Sequence, residues 1–290
     1  MNKLMLIINP VAGKKQAPRQ LVKLIRTFMD FGWQVTTYVT GAKGEAMEFA
    51  ARDGASFDRI ICSGGDGTLN EVVRGLVRAD LSVPVGYLPS GSTNDFAEFL
   101  HISPRLPTAA KRAAGGDIRK IDVCRFGDRC FLNIAAFGVF SDLSYTTPQY
   151  LKNLLGLAGY VIDGIKDLST GRPQQLRLRA DGKVYEGSYI FGAVCNASGI
   201  GELMDVPMEA DDGEMNVLLI RMPENFLEQQ LILHALQNKE YDSPYFDCFK
   251  ASSLVLECDA PMDWALDGEH AILEEKTEIR CLRQRLQMVL

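Results

Sequence analysis

The sequence predicts an α/β protein with an N-terminal parallel α/β domain followed by a β-rich, sandwich-like domain. Over the first 120 residues, short apolar runs alternate with segments whose apolar residues recur at helical spacing. That alternation is typical of a parallel sheet covered by helices on both faces. After about Asp122, short β-like runs dominate. A chain of 290 residues is long enough for two domains. A hydrophobic content of 47% is sufficient to form a sizeable buried core.

Local signals support the elements of the first domain. Pro18 lies where the first turn of a helix tolerates proline, and Gly32 and Gly54 lie where helices end. The apolar run 4–8 stops at Asn9-Pro10, as a strand does at a turn. The predicted strands are 4–8, 33–39, 58–62 and 83–88, and the predicted helices are 18–29, 44–52, 69–77, 95–100 and 108–114.

The second half predicts strands and two helices. We expect the first domain to cover 1–123, with the option that the C-terminal residues rejoin it, and the second to cover 124–290. The stretch 151–168 has apolar residues at helical spacing between charged ones, so it is an amphipathic helix that either faces the core or lies on a membrane. Its three glycines make it pliable, which would suit a lid. The predicted strands are 131–134, 176–179, 189–195, 216–219, 253–257 and 278–282, and the helices lie near 150–168 and 225–237.

Composition excludes several classes of protein. A net charge of −6 and a pI near 5.2 argue against binding to nucleic acid, which is gripped by clustered lysines and arginines. The seven cysteines show no C-x-x-C pair, and this favours reduced thiols in the cytoplasm. No apolar stretch reaches the roughly 18 residues that span a bilayer, and the run 4–8 is too short for a signal peptide.

A glycine loop is the most informative motif. Gly64-Gly65-Asp66-Gly67-Thr68 follows an apolar strand and opens a helix that begins with Leu69-Asn70-Glu71. Bare glycine backbone lets ligand oxygens approach its N–H groups, and the positive end of the helix faces the same place. Any α/β protein can carry a glycine turn here, but an acid beside a phosphate is tolerated chiefly when a cation lies between them. Asp66 therefore favours a site for a nucleotide with its metal ion.

Two further loops belong to the same edge of the predicted sheet. Ligands bind beyond the carboxyl ends of parallel strands, where loops 9–14 and 89–95 should join the glycine loop. The small polar residues of 89–95 would also serve as helix caps. Neither the G-x-x-x-x-G-K-[ST] loop nor the protein-kinase motifs occur, so the two common nucleotide-phosphate devices are missing from the sequence.

Two acidic segments in the second half carry candidate chemistry. The stretch 207–214 places four acids and a glycine in a turn, which is either a solvated turn or a site for a hard divalent cation. The segment 264–269 ends in Asp267-Gly268-Glu269, which taken alone predicts a hairpin turn. The three histidines show no ligand spacing.

Together these motifs resemble the bacterial diacylglycerol kinase family of lipid kinases, which has sphingosine and ceramide kinase relatives. The Gly-Gly-Asp-Gly-Thr element alone is shared with NAD kinases and, in a variant, with phosphofructokinases, whereas Asn94-Asp95-Phe96-Ala97 and Asp267-Gly268-Glu269 make the match specific. The matching residues come in the family's order over nearly the whole chain: Asn9-Pro10 with Gly13, Gly64–Thr68 with Asn70-Glu71, Gly91 with Asn94–Ala97, Asp122, Asp212-Gly213 and Asp267–Glu269.

The resemblance implies an ATP- and Mg²⁺-dependent lipid kinase, with diacylglycerol as the default acceptor and phosphatidic acid as product. It implies a nucleotide-binding first domain, a lipid- and Mg²⁺-binding sandwich domain, and an active site in the cleft between them. Glu269 would be the catalytic residue, supported by Asp66. The residues that would contact ATP are Asn9, Thr40, Gly64, Gly65, Asp66, Gly67, Thr68, Leu69, Asn70, Ser92 and Asn94.

The resemblance also implies a structural Mg²⁺ on Asp212 and the main-chain carbonyls of Glu209 and Glu214, linked through water to Asp66, Asp95 and Asp122. Relatives often have apolar residues at 209 and 214, so these glutamates either add ligands or point to water. Ser92 stands where some relatives have threonine.

The implied partner is a lipid at the membrane surface, contacted peripherally. The sequence leaves a homodimer open. Two alternatives also stay open: an NAD kinase, which would use a soluble dinucleotide as acceptor, and a non-catalytic nucleotide sensor, against which the joint presence of Asp66, Asp122, Asp212 and Glu269 argues.

Overall fold

The computed structural model describes residues 2–13, 16–138, 165, 173–196 and 209–290. The chain forms two compact units, one of Met1–Val123 with Arg283–Leu290 and one of Cys124–Leu282. The expected helix 151–168 lies outside the described residues apart from Ile165, as do Lys14 of the first loop and Pro207-Met208 of the acidic turn.

The first unit is a parallel sheet with helices. Its strands are hydrogen-bonded in the order β4, β3, β1, β2, and buried residues fill β3 and β4 along their whole length. Continuous burial is what a parallel strand covered on both faces requires. The elements are β1 (Asn2–Ile8), α1 (Gln16–Asp30), β2 (Trp33–Val39), α2 (Glu45–Asp53), β3 (Arg59–Gly64), α3 (Asp66–Arg78), β4 (Val85–Pro89), α4 (Asp95–Phe99), α5 (Leu106–Gly115) and β5 (Ile118–Phe126).

Helix α3 begins earlier than the apolar pattern predicts. The sequence suggested a start at Leu69, but Gly65 is the N-cap and Asp66, Gly67 and Thr68 already form the first turn. The reason is that apolar periodicity marks only the buried face, whereas a carboxylate in the first turn is favoured by the positive end of the helix. The glycine loop is therefore shorter than expected, and the helix N-terminus reaches further into it.

A buried arginine closes the C-terminal end of α5. The Arg59 guanidinium donates to the carbonyl oxygens of Ala113 and Ala114, both at 2.8 Å, and lies over the Trp33 ring at 4.8 Å from its centroid. The Trp33 indole N–H also donates to the Ala114 oxygen, at 3.0 Å. The last carbonyls of a helix have no intrahelical partner, and a cation there complements the helix dipole. Burial lowers the pKa of Arg59.

The second unit is rich in antiparallel strands. The long strand β9 pairs along its first part with β8 and along its last part with β7 and β10, so the sheet divides there. The elements are β6 (Arg129–Phe131), β7 (Ile134–Gly138), β8 (Gln174–Ala180), β9 (Lys183–Cys195), β10 (Met215–Arg221), α6 (Phe226–Asn238), β11 (Phe246–Ala251), β12 (Ser253–Cys258), β13 (Met262–Leu266), β14 (Glu269–Leu273) and β15 (Lys276–Val289).

One aromatic-rich core lies inside the strands of this unit. Trp264 packs against Phe126 and Phe137 with ring centroids 5.2 and 4.8 Å away. On the opposite face of β7, β9 and β10, α6 packs through Ile232, Leu233 and Leu236. Strands around a shared core with a helix outside them agree with the β-rich domain that the sequence predicted.

Some details of the predicted strands were wrong. The expected strand 131–134 is a break between β6 and β7, at Leu132 and Asn133. Strands β5 and β11 were not foreseen as elements, because charged or polar residues interrupt their apolar pattern.

Among the described residues, no helix has the length and apolar character needed to cross a bilayer.

Candidate active site

Three loops meet at the carboxyl end of the parallel sheet, as the sequence predicted. Loop 9–13 follows β1, the glycine loop follows β3 and loop 90–94 follows β4. A Cβ atom placed on Gly13 would lie 2.3 Å from the carbonyl oxygen of Ser90, and one on Gly91 would lie 2.5 Å from the Cα of Gly65. Such distances are below van der Waals contact, so only glycine permits the three backbones to come this close.

Asp66 joins the glycine loop to loop 90–94. Its carboxylate accepts the N–H of Asp95 at 3.0 Å and lies 3.4 Å from both the N–H of Phe96 and the hydroxyl of Tyr87. Burial raises the pKa of Asp66, and the hydrogen bonds from Asp95, Phe96 and Tyr87 oppose that rise. Because the ionised form is disfavoured in the folded protein, Asp66 costs stability at neutral pH, above its ordinary pKa.

Tyr87 was not foreseen as a site residue. It is buried in β4, and its hydroxyl lies 3.3 Å from the side-chain oxygen of Asn94 as well as near Asp66. Burial first, and then the charge of Asp66, raises the pKa of Tyr87 well above its ordinary value. The signal in the sequence was an aromatic residue with a polar tip at the end of a buried strand, since a buried tyrosine hydroxyl usually has a partner.

Asn94 closes its own loop. It has a positive φ of 61°, its side-chain oxygen accepts the Gly91 N–H at 2.8 Å, and its amide nitrogen donates to the Gly91 oxygen at 3.2 Å. Asparagine tolerates this left-handed conformation better than most residues. Asn94 therefore shapes the loop, while Ser92 in the same loop is exposed.

The other residues predicted to contact the nucleotide differ in which of their groups are accessible to a ligand. The Asn9 amide donates to the Thr68 hydroxyl at 3.1 Å, and the Thr40 hydroxyl lies 3.4 Å from the Ile8 oxygen. Leu69 is fully buried, so only its main chain is available to a ligand. Gly67 is exposed in the first turn of α3, and a Cβ atom there would meet nothing within 4 Å.

Asp122 is anchored to the C-terminal strand. It is fully buried on β5, and its carboxylate accepts the N–H of Gln284, a residue with a positive φ of 52°. A buried polar group without a hydrogen-bond partner destabilises the folded state, so this N–H group supplies what the buried carboxylate requires. The predicted roles of Asp122 and Asp95 in a water network remain predictions.

In the second unit, Glu269 begins β14, directly after the Asp267-Gly268 turn. Its carboxylate lies 3.2 Å from the Arg129 guanidinium, which also donates to the carbonyl oxygen of His270. Asp267 accepts three backbone N–H groups, from Leu132 at 2.7 Å and from Asn133 and Ile134 at 2.9 Å each. The Asp-Gly turn predicted from sequence is thus confirmed, and its aspartate is a structural anchor.

The acidic turn carries a lysine partner. The Asp212 carboxylate lies 3.0 Å from the Lys250 ammonium and accepts the Glu214 N–H at 3.0 Å, while Glu214 lies 3.9 Å from the same ammonium. The hydrogen bond to Asp212 raises the pKa of Lys250. Within the described part of the chain, no group of three or more His, Cys, Asp or Glu side chains is arranged to hold a metal ion. A site of one carboxylate and two main-chain carbonyls, one of them from Glu209, stays a prediction.

The first unit is a parallel α/β sheet with glycine-lined loops at its strand ends, one of which opens a helix, and this arrangement is typical of α/β proteins that bind phosphate groups. Residues 3–126 match the model of the diacylglycerol kinase catalytic domain. A diacylglycerol kinase of Bacillus subtilis (strain 168) is 30% identical over 276 residues, covering 93% of this chain and 90% of the relative. The chain belongs to the diacylglycerol kinase family.

Other relatives agree with this assignment. A diacylglycerol kinase of Staphylococcus aureus (strain MRSA252) is 30% identical over 270 residues, covering 91% of this chain and 85% of the relative. A crystal structure of a diacylglycerol kinase from Bacillus anthracis str. Sterne has a TM-score of 0.74 at 21% identity, covering 99% of this chain and 96% of that one. A second structure from that strain reaches 0.81 at 24% identity, covering 99% and 97%. These two structures share the fold.

Proposed function

We propose that this protein is an ATP- and Mg²⁺-dependent lipid kinase that transfers the γ-phosphoryl group to a lipid hydroxyl at a membrane surface. The proposed acceptor is diacylglycerol, and the product is phosphatidic acid. Family membership supports a kinase, and relatives named diacylglycerol kinase support this lipid as acceptor. The observation that supports nucleotide binding is the open space at Gly67. This residue lies in the first turn of a 13-residue helix, where three loops meet.

The nucleotide phosphates would bind along the glycine loop. The first N–H groups of a helix have no intrahelical partner, and together with the helix dipole they favour an anion. Gly64 is buried against the Thr68 side chain, Gly65 packs against Gly91 of the neighbouring loop, and Ser92, the next residue of that loop, is exposed. Thr40, Thr68 and Asn70 are nearly buried, so they support the loops more than they cover the ligand.

Glu269 would accept the proton of the lipid hydroxyl. Phosphoryl transfer passes through a loose transition state, in which the alcohol becomes acidic only as its bond to phosphorus forms. A carboxylate is then a sufficient base, because the proton leaves late. The Arg129 guanidinium lies 3.2 Å from the Glu269 carboxylate and restrains its position.

Metal ions would act in two places. Asp66, with Asp95 and Asp122, would hold through water the Mg²⁺ that accompanies ATP, and this ion would supply positive charge to the phosphate oxygens. The carboxylate and carbonyl oxygens of the acidic turn are hard donors that suit a structural Mg²⁺ on Asp212. Lys250 already shares the Asp212 carboxylate, so the metal and the ammonium would compete for it.

Labelled ATP tests the reaction. The protein is incubated with γ-labelled ATP, Mg²⁺ and vesicles that contain diacylglycerol, ceramide or sphingosine, and a parallel arm contains NAD. Label in phosphatidic acid supports the proposal, label in NADP replaces it with an NAD kinase, and ATP binding without any transfer indicates a nucleotide sensor. Glu269→Gln should lower turnover strongly with unchanged folding, and wild-type turnover in that variant would refute the proposed base.

Two glycines of α3 test the nucleotide site separately from the fold. Gly67→Ala meets open space and replaces glycine in a helix, so its free energy of unfolding should equal or exceed that of the wild type. If phosphates approach there, its KM for ATP should rise at least tenfold. Gly75→Ala, the matched control, would place Cβ 2.4 Å from the Met47 oxygen and should lose stability without a change in KM. A Gly67→Ala enzyme with the KM of the wild type would contradict the assignment.

A further inference from the structure

Arg129 contacts Glu269 in two ways. One nitrogen of its guanidinium lies 3.2 Å from the Glu269 carboxylate, and the other donates to the main-chain oxygen of His270, the next residue. The planar fork of arginine therefore holds the carboxylate relative to its own backbone. A point charge such as lysine cannot hold both partners in one fixed geometry.

The surroundings of this pair are partly closed. The side chains of Arg129 and Glu269 are 24% and 25% exposed. By contrast, the pair Arg177–Glu186 of the same unit is 45% and 59% exposed, although its two hydrogen bonds, at 2.7 and 2.8 Å, are shorter. Exposed ion pairs contribute little to stability. The Arg177 pair is thus a solvated surface contact, whereas the Arg129 pair is built into the fold.

A second connection joins the same two segments. Asp267, two residues before Glu269, accepts the N–H groups of residues 132–134, which directly follow β6. The Asp267 N–H in return donates to the Ile134 oxygen at 2.9 Å. Segment 129–134 is therefore fixed to hairpin 267–270 on both sides of Glu269. With the backbone held in this way, the remaining freedom of Glu269 is that of its side chain, which Arg129 restrains.

We propose that Arg129 is a positioning residue of the kinase reaction, which acts by holding the Glu269 carboxylate in the orientation that receives the proton. This inference rests on the proposed function, in which Glu269 is the base. Arg129 does not touch the reacting atoms in this account. A misplacement of a catalytic group by about 1 Å can cost about a hundredfold in rate, so loss of the restraint should lower kcat and leave the KM for ATP unchanged.

A double-mutant cycle tests the proposal. Arg129→Met removes the fork and keeps most of the stem, Arg129→Lys keeps the charge, and Arg177→Met is the matched control for loss of an arginine–glutamate pair. We expect kcat to fall by about 10- to 100-fold in Arg129→Met, by less in Arg129→Lys, and not at all in Arg177→Met. The double variant Arg129→Met/Glu269→Gln should be as active as Glu269→Gln alone, because Arg129 has no base left to position.

The outcomes separate this inference from the proposed function. If the wild type labels no lipid, or if Glu269→Gln keeps full turnover, the proposed function fails. If Glu269→Gln loses activity but Arg129→Met matches Arg177→Met, the positioning role is overturned alone. The positioning role is also overturned if the double variant loses the product of the two single-variant losses in kcat. Such independence is expected when Arg129 acts only on the structure, because that effect would not depend on Glu269. Should Arg129→Met fail to fold by circular dichroism, the cycle is run with Arg129→Lys, and the same two results decide.

Discussion

The anchor role of Asp267 gives a stability prediction for the second unit. Asp267→Gly removes an acceptor that serves three backbone N–H groups at 2.7–2.9 Å, and glycine adopts the positive φ of 47° at this position without strain. The donating residues Leu132, Asn133 and Ile134 are buried, and Asp267 itself is partly buried. Asp267→Asn keeps one oxygen and turns an N–H group toward a donor.

The expected magnitudes follow from these contacts. An unsatisfied buried group costs about 1–3 kcal/mol, and the three groups share one acceptor, so Asp267→Gly should cost about 3–6 kcal/mol. Asp267→Asn should cost about 1.5–3 kcal/mol, because one charge-assisted bond is lost and two are weakened. Against a usual stability of about 5–15 kcal/mol, the glycine variant would be close to unfolding.

Tryptophan fluorescence provides the assay. The chain has two tryptophans, one in each unit, so in a Trp33→Phe background Trp264 alone reports unfolding next to Asp267. Urea titrations of this parent, Asp267→Asn and Asp267→Gly should give midpoints that fall in that order. If the free energy of unfolding of Asp267→Gly is within about 1 kcal/mol of that of its parent, the carboxylate is not the anchor that its three contacts indicate.

Three further predictions concern other sites. Asp66→Asn should abolish turnover, and the free energy of unfolding of the wild type should fall relative to that of Asp66→Asn as the pH rises above the ordinary pKa of the carboxyl, because burial raises the pKa of Asp66 in the folded protein; a difference between the two proteins that stays constant with pH would refute this reasoning. Lys250→Met should increase the rise in melting temperature on adding Mg²⁺, since the competing ammonium on Asp212 is gone; no response to Mg²⁺ in either protein would remove the structural metal from the proposal. Arg59→Met should cost about 1–3 kcal/mol in urea unfolding through the loss of its bonds at the end of α5, whereas the exposed Arg19→Met should change little.

The sequence predicted the first unit more completely than the second. In an α/β unit each strand and each helix carries its own periodic pattern, and the rule for ligand position follows from topology, so the meeting of three loops could be foreseen. The pairing of β9 with three partners could not, because it depends on contacts between residues far apart in the chain.

For the candidate site, the motifs pointed to residues but not to the contacts that these residues make in the fold. Asp66 and Asn94 were expected to meet ligand, and the structure shows each of them also holding backbone N–H groups of the loops. Tyr87 and Arg129 lie outside every motif, since each contacts its partner from a segment distant in the sequence. Residues that act through another side chain leave no local pattern, and they become visible only when distances are known.

The return of β15 to the first unit has a consequence for how the protein is made. Residues 288 and 289 pair with β4, and Leu290 exchanges backbone hydrogen bonds with Asp117. Residues 288–290 are synthesised long after Val123. Until then, the edge of β4 that pairs with residues 288 and 289 is exposed, and an exposed strand edge can pair with other chains. A fragment that stops at Val123 should therefore aggregate, and a nascent chain should depend on chaperones until its C-terminal segment arrives.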